Sequence, residues 1–119
     1  MKNSFRSKCP ISCSLDIIGD KWSMVIIRDL FQGKKTFKEF SASSEKMSSS
    51  ILSQRLKNLA YFGLIVRTDL TTNKKTKHYK LTKSGMSLEP ILDYLSSWGS
   101  NYLSSYTSIS SSHKENSNN

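Results

Sequence analysis

Ser48 followed by Ile51, Leu52, Leu56 and Leu59 is the most restrictive pattern in this 119-residue chain. Apolar side chains at that spacing share one face of a helix. Ser48 stands at the N-cap position and Gly63 just past the end. A helix with one aliphatic face must lay it against something. Upstream, Asp20 can cap a run in which Trp22, Val25, Ile26 and Leu30 keep helical spacing down to Gly33. Met24, Ile27 and Phe31 make that helix apolar on more than one side, as a central helix should be. A shorter helix, about Thr36 to Ser43, turns Phe37 and Phe40 inward, and Glu45-Lys46 form a turn before Ser48. A first short helix is expected from about Ser14 to Ile18, stopped at Gly19. Downstream, two strand-like runs, Leu64 to Leu70 and Lys77 to Leu81, flank a polar, basic hairpin tip at 71–76. Thr82 caps a long last helix with Leu88, Ile91, Leu92, Leu95, Trp98 and Tyr102 along one side. Pro90 is expected to bend that helix without ending it.

The order is therefore four helices, a hairpin and a helix, with a short turn between the third and fourth. The fold class this predicts is mainly α with a small β-wing: a winged helix-turn-helix with extra N- and C-terminal helices for dimerisation. One domain fits the length. It is expected over residues 9–106, between a flexible N-terminus at 1–8 and a Ser/Asn-rich tail at 107–119 that lacks apolar residues to pack.

Charge narrows the class of partner. The chain carries a net charge of +9, and all of it falls between Gln32 and Lys83, where twelve Lys or Arg residues face only Glu39, Glu45 and Asp69. Outside that window the charges cancel. A positive field concentrated on one segment suits a polyphosphate, because each neutralised phosphate releases counterions. An ordinary solvated face explains the charge alone equally well. Combined with a helix-turn-helix and a wing, it points to double-stranded DNA, with the second helix of the pair in the major groove. The Ser48–Phe62 helix suits that role. Its outward face carries Ser49, Ser50, Ser53, Gln54 and Lys57, with Ser48 at its start. Short hydroxyls permit close approach, Gln54 can bond adenine through two atoms, and Arg55 and Lys57 can pair with phosphate or guanine. Lys74, Lys75 and Lys77 of the wing would reach the backbone beside the groove.

Other chemistries find little support. Cys9 and Cys13 make no disulfide framework. With only His78 and His113 to add, no metal-ligand spacing emerges, so neither metal nor cofactor is expected. A redox enzyme would need a Cys-x-x-Cys type of site, and these two cysteines have three residues between them. No enzyme is expected. No apolar run approaches the roughly 20 residues that span a bilayer, and no signal-peptide core follows the basic N-terminus, so a cytoplasmic location is expected. Trp22 and Trp98 sit in helical apolar stripes and are read as packing residues, not ligand platforms. The alternative to a DNA-binding regulator is a winged-helix module that binds protein and lacks operator recognition.

Seven blocks, in order, resemble the HxlR-type winged-helix regulators. They are Cys9-Pro10-Ile11, Ile18-Gly19-Asp20-Lys21-Trp22, Phe37-Lys38-Glu39-Phe40, Leu52-Ser53-Gln54-Arg55-Leu56-Lys57-Asn58-Leu59, Gly63-Leu64-Ile65, Tyr79-Lys80-Leu81-Thr82-Lys83-Ser84-Gly85 and Trp98-Gly99. The resemblance runs from about Cys9 to Tyr106. It implies a homodimer built from the terminal helices that binds promoter DNA, usually as a repressor and sometimes as an activator. Cys9, beside the Cys-Pro step, matches a residue that serves some members as a thiol switch for oxidants or electrophiles; Arg6 and Lys8 supply the positive surroundings such thiols use. The alternative is a small residue packed in the dimer seam. Four positions depart from the pattern. Asp20 replaces a second glycine, Thr36 replaces a basic residue that would touch phosphate, the wing lacks its proline, and His78 replaces an acidic residue.

Overall fold

The computed structural model describes residues 5–68 and 77–106. The wing tip with Lys74 and Lys75, the end of the first expected strand, the first four residues and the Ser/Asn-rich tail lie outside them. The described residues form two units, one ending at Met86 and the other beginning at Ser87.

In the first unit, α1 spans Pro10–Ile18, α2 Ser23–Phe31, α3 Phe37–Ser41 and α4 Ser49–Tyr61. Strands β1 (Ile65–Arg67) and β2 (Tyr79–Leu81) follow, then the short α5 (Lys83–Met86). The first helix starts four residues earlier than the apolar pattern indicates. Pro10 opens it, where the missing N–H costs nothing and the fixed φ is already helical. Asp20 begins α2 from a turn away: Trp22 holds the cap position, and the Asp20 carboxylate accepts the Trp22 and Ser23 amides, each at 2.9 Å. Thr36 caps α3 through a reciprocal box, its hydroxyl taking the Glu39 amide while Glu39 takes the Thr36 amide. The residue that departs from the family pattern therefore begins a helix.

The core lies where α2, α3 and α4 meet the foot of the wing. Ile26, Ile27, Phe40, Leu52, Leu59 and Ile65 are fully buried, and Leu56 nearly so. Leu52, Leu56 and Leu59 recur on one face of α4, and burying each stabilises by about 1.5–3 kcal/mol. Gly63 ends α4 with φ +80°, a left-handed conformation that lets the chain reverse into β1.

Antiparallel pairing matches Ile65 with Leu81, Val66 with Lys80 and Arg67 with Tyr79. The other edge of β2 is also covered. Phe37 donates its amide to the Lys77 carbonyl and Tyr79 donates to the Lys35 carbonyl, around a bridge between Thr36 and His78. The segment entering α3 thus acts as a third strand and fixes the wing to the helix-turn-helix.

The expected long last helix is divided. In the second unit, α6 spans Glu89–Tyr102, with Pro90 in its first turn. A continuous helix would set the Pro90 ring against the Met86 carbonyl and remove a hydrogen bond; at a helix start neither cost arises. Proline here begins a helix and does not bend one.

Candidate nucleic-acid interface

Helical phase sorts the side chains of α4. At about 100° per residue, Ser50, Gln54, Lys57 and Tyr61 lie opposite the Leu52–Leu56–Leu59 stripe, and all four are exposed. Together they form one polar line across an amphipathic helix. Ser48 and Ser49 are exposed at its start and Ser53 is half-buried on its flank. The Ser48 hydroxyl oxygen accepts the Ile51 amide at 3.2 Å, which leaves its hydrogen to donate outward. Lys77 is exposed at the base of the wing, its ammonium 5.9 Å from the centre of the Phe37 ring.

Arg55 is placed differently. Its Nε lies 2.9 Å from Asp20 Oδ2, and only 27% of its side chain is exposed. It lies about 60° from the buried stripe, on the flank of α4, where one side meets Asp20 and the other lines a shallow surface pocket with Gln54, Lys57, Asn58 and Tyr61. Tyr61, absent from the sequence-based candidates, is 45% exposed on the outer line. Its phase, four residues after Lys57, was the available signal.

A second group missed by sequence reasoning fixes the turn between α3 and α4. Arg28 of α2 grips Glu45 with both terminal nitrogens, Nη1 to Oε2 at 2.9 Å and Nη2 to Oε1 at 3.1 Å. Its Nε and Nη2 also donate to Asp29 Oδ1. The Ser43 hydroxyl donates to Glu45 Oε1, which ties the turn to the same carboxylate. Asp29 is fully buried and has Lys34 Nζ 3.6 Å away. The Arg28 guanidinium, helped by the Ser43 hydroxyl, holds the Glu45 carboxyl down at about 2. Lys46, next in the chain, takes the left-handed conformation with φ 57° that sharpens the turn. A signal existed: charged residues inside an apolar helix must be paired, and Arg28 and Asp29 sit in one.

At the other end of the unit, Cys9 is exposed at the N-cap position of α1 and Cys13 is half-buried. Both connect to Ser7: the Cys9 amide donates to its hydroxyl and the Cys13 thiol to its carbonyl. Arg6, expected to serve Cys9, is engaged by Asp16 at 2.6 Å. Among the described residues no three His, Cys, Asp or Glu side chains gather to hold a metal. No described helix is long and apolar enough to cross a membrane.

A capped helix pair joined by a clamped turn, with a polar outer face on its second helix and a hairpin beside it, defines a winged helix-turn-helix protein. Residues 17–107 match the HxlR-like helix-turn-helix family, and the chain belongs to it. It is 35% identical over 94 residues to the HTH-type transcriptional regulator YdeP of Bacillus subtilis (strain 168), covering 79% of this chain and 73% of that one. Among solved structures it is similar to the redox regulator HypR in its oxidized form, with 32% identity, a TM-score of 0.69, and 78% of this chain and 96% of that one covered. It is also similar to quinone-bound YodB from B. subtilis, with 27% identity, a TM-score of 0.66, and coverage of 79% and 99%.

Proposed function

We propose that this protein is a DNA-binding transcriptional regulator, most simply a repressor, that places α4 in the major groove of a pseudo-palindromic operator. The observation that carries the reading is the outer line of α4. Ser50, Gln54 and Lys57 project from a helix whose opposite face is locked into the core, inside the basic window of the chain. Ser48, Ser49 and Ser53 flank that line as phosphate or base contacts, with Lys57 on phosphate or guanine. Lys77, with Lys74 and Lys75 of the wing, would meet the neighbouring backbone.

A homodimer completes the reading. Ile11 is 71% and Leu15 51% exposed on α1, while Tyr94 is 77% and Trp98 56% exposed on α6. Apolar stripes of that kind call for a cover, and a second copy is the proposed one. Two-fold symmetry would then set the α4 helices about 34 Å apart, one turn of DNA. Cys9 is the proposed sensor for an oxidant or electrophile, supported by its exposure at the start of α1 and by the redox and quinone-bound states of HypR and YodB. The test is footprinting on DNA upstream of the protein's own gene. A protected pseudo-palindrome with half-sites one turn apart supports the reading; equal affinity for every duplex of that length contradicts it.

A further inference from the structure

Asp20 and Arg55 belong to different helices, yet one carboxylate serves both. Asp20 Oδ2 accepts the Trp22 and Ser23 amides that begin α2 and lies 2.9 Å from Arg55 Nε on α4. Its Oδ1 accepts the Ser23 hydroxyl, and Ser23 is fully buried. The carboxylate is therefore fixed to the most buried helix of the fold before Arg55 meets it. Burial opposes its charge, but the Ser23 hydroxyl, the two amides and the Arg55 charge together hold its pKa below the usual carboxylate value. On the arginine side, Nε is buried and its N–H does not point along the contact, so the attraction is between charges and not through an aligned hydrogen bond. A guanidinium whose Nε side faces Asp20 has part of its charge offset before it meets any phosphate.

We infer that Arg55 is a positioning residue, not a DNA contact: held by Asp20, it sets the rotation of α4 about its own axis and so aims Ser50, Gln54 and Lys57. The inference rests on the proposed reading of α4 as the helix that meets bases. With side-chain tips about 6 Å from the helix axis, a roll of only about 10° moves them by about 1 Å. That is enough to stretch a base contact out of hydrogen-bond range. The leucine stripe resists gross displacement of α4 but permits a small roll, because apolar contacts are not directional. Asp20 and Arg55 supply a charge contact on one flank of the stripe, where it opposes such a roll.

The test is a double-mutant cycle in the full chain with Asp20→Ser and Arg55→Gln, titrated against the footprinted operator and a scrambled duplex over a range of salt. Serine keeps an oxygen for the Trp22 and Ser23 amides but cannot reach Arg55. Asp20→Asn, also neutral, is the second variant if Asp20→Ser fails to fold by circular dichroism. Each single change is expected to lower the operator-to-scrambled ratio by about three- to tenfold. The double variant should be no worse than the worse single, and the slope of log affinity against log salt should stay at its wild-type value throughout. The inference is overturned if Arg55→Gln flattens that slope, by about 0.9 for each phosphate lost, while Asp20→Ser or Asp20→Asn binds as wild type. Failure of the underlying reading looks different: Gln54→Ala would then leave the ratio unchanged. If Gln54→Ala lowers the ratio while the two Asp20–Arg55 singles do not, only the present inference fails.

Discussion

Glu45→Gln removes one charge from the clamp that holds the turn of the helix-turn-helix, and its cost can be bounded. The Glu45 carboxyl titrates at about 2 in the folded chain against an ordinary 4.5. At about 1.4 kcal/mol per pH unit, that gap caps its contribution at about 3.5 kcal/mol. Glu45 is 34% exposed and its partner Arg28 30%, so water screens the pair, and about 1 kcal/mol is the realistic share. A domain of this size would lose about 4–8 °C in Tm. The pH dependence carries a sign. A carboxyl whose pKa is lowered by folding stabilises fully above 4.5, and the contribution disappears as pH falls toward 2. Thermal melts of both proteins by circular dichroism, at one protein concentration and at pH 7, 4.5 and 2.5, read both quantities. The variant should melt lower at pH 7 and at 4.5, and most of that difference should be gone at pH 2.5. Equal Tm at pH 7, or a difference that persists unchanged at pH 2.5, would refute the clamp.

Three further outcomes are expected. Gly85→Ala would place a Cβ on the Leu64 carbonyl oxygen and against Leu81, so it should destabilise by about 1–3 kcal/mol, measured by urea unfolding; wild-type stability would show that Leu64 does not pack against this position. Trp98→Asp puts a charge in the exposed stripe of α6 and should turn the proposed homodimer into monomer at micromolar concentration by sedimentation, and a dimer of unchanged affinity would place the interface elsewhere. Cys9→Ser should leave operator binding intact while abolishing release of DNA by a quinone or peroxide, and release that persists in the variant would remove Cys9 as the sensor.

What the sequence revealed depended on whether a feature repeats along the chain. The α4 stripe, its Ser48 cap and the Gly63 stop are local and periodic, so the helix was readable to within a residue at each end. The same holds for the Glu45-Lys46 turn. Pro90 misled because an apolar pattern continues past it, whereas the break depends on a carbonyl four residues earlier. The capping role of Thr36 was not legible because it requires Glu39 to fold back onto it. Arg55 was read with Lys57 as a cation for phosphate or guanine; a helical projection sets it on the flank of α4, but only the fold supplies Asp20. The Arg28 clamp spans seventeen residues to Glu45: charge inside an apolar helix signals that Arg28 needs a partner, but only tertiary packing supplies Glu45.

The central claim is that the outer line of α4 reads base sequence, and paired titration of Ser50→Ala and Gln54→Ala against operator and scrambled duplex at fixed salt tests it most directly. Neither side chain enters the core, so Tm should move by no more than about 0.5 kcal/mol equivalent. Each variant should lose about 1–3 kcal/mol of discrimination, with affinity for the scrambled duplex almost unchanged. Equal loss on both duplexes would mean that these side chains touch only phosphate and that α4 does not read the sequence.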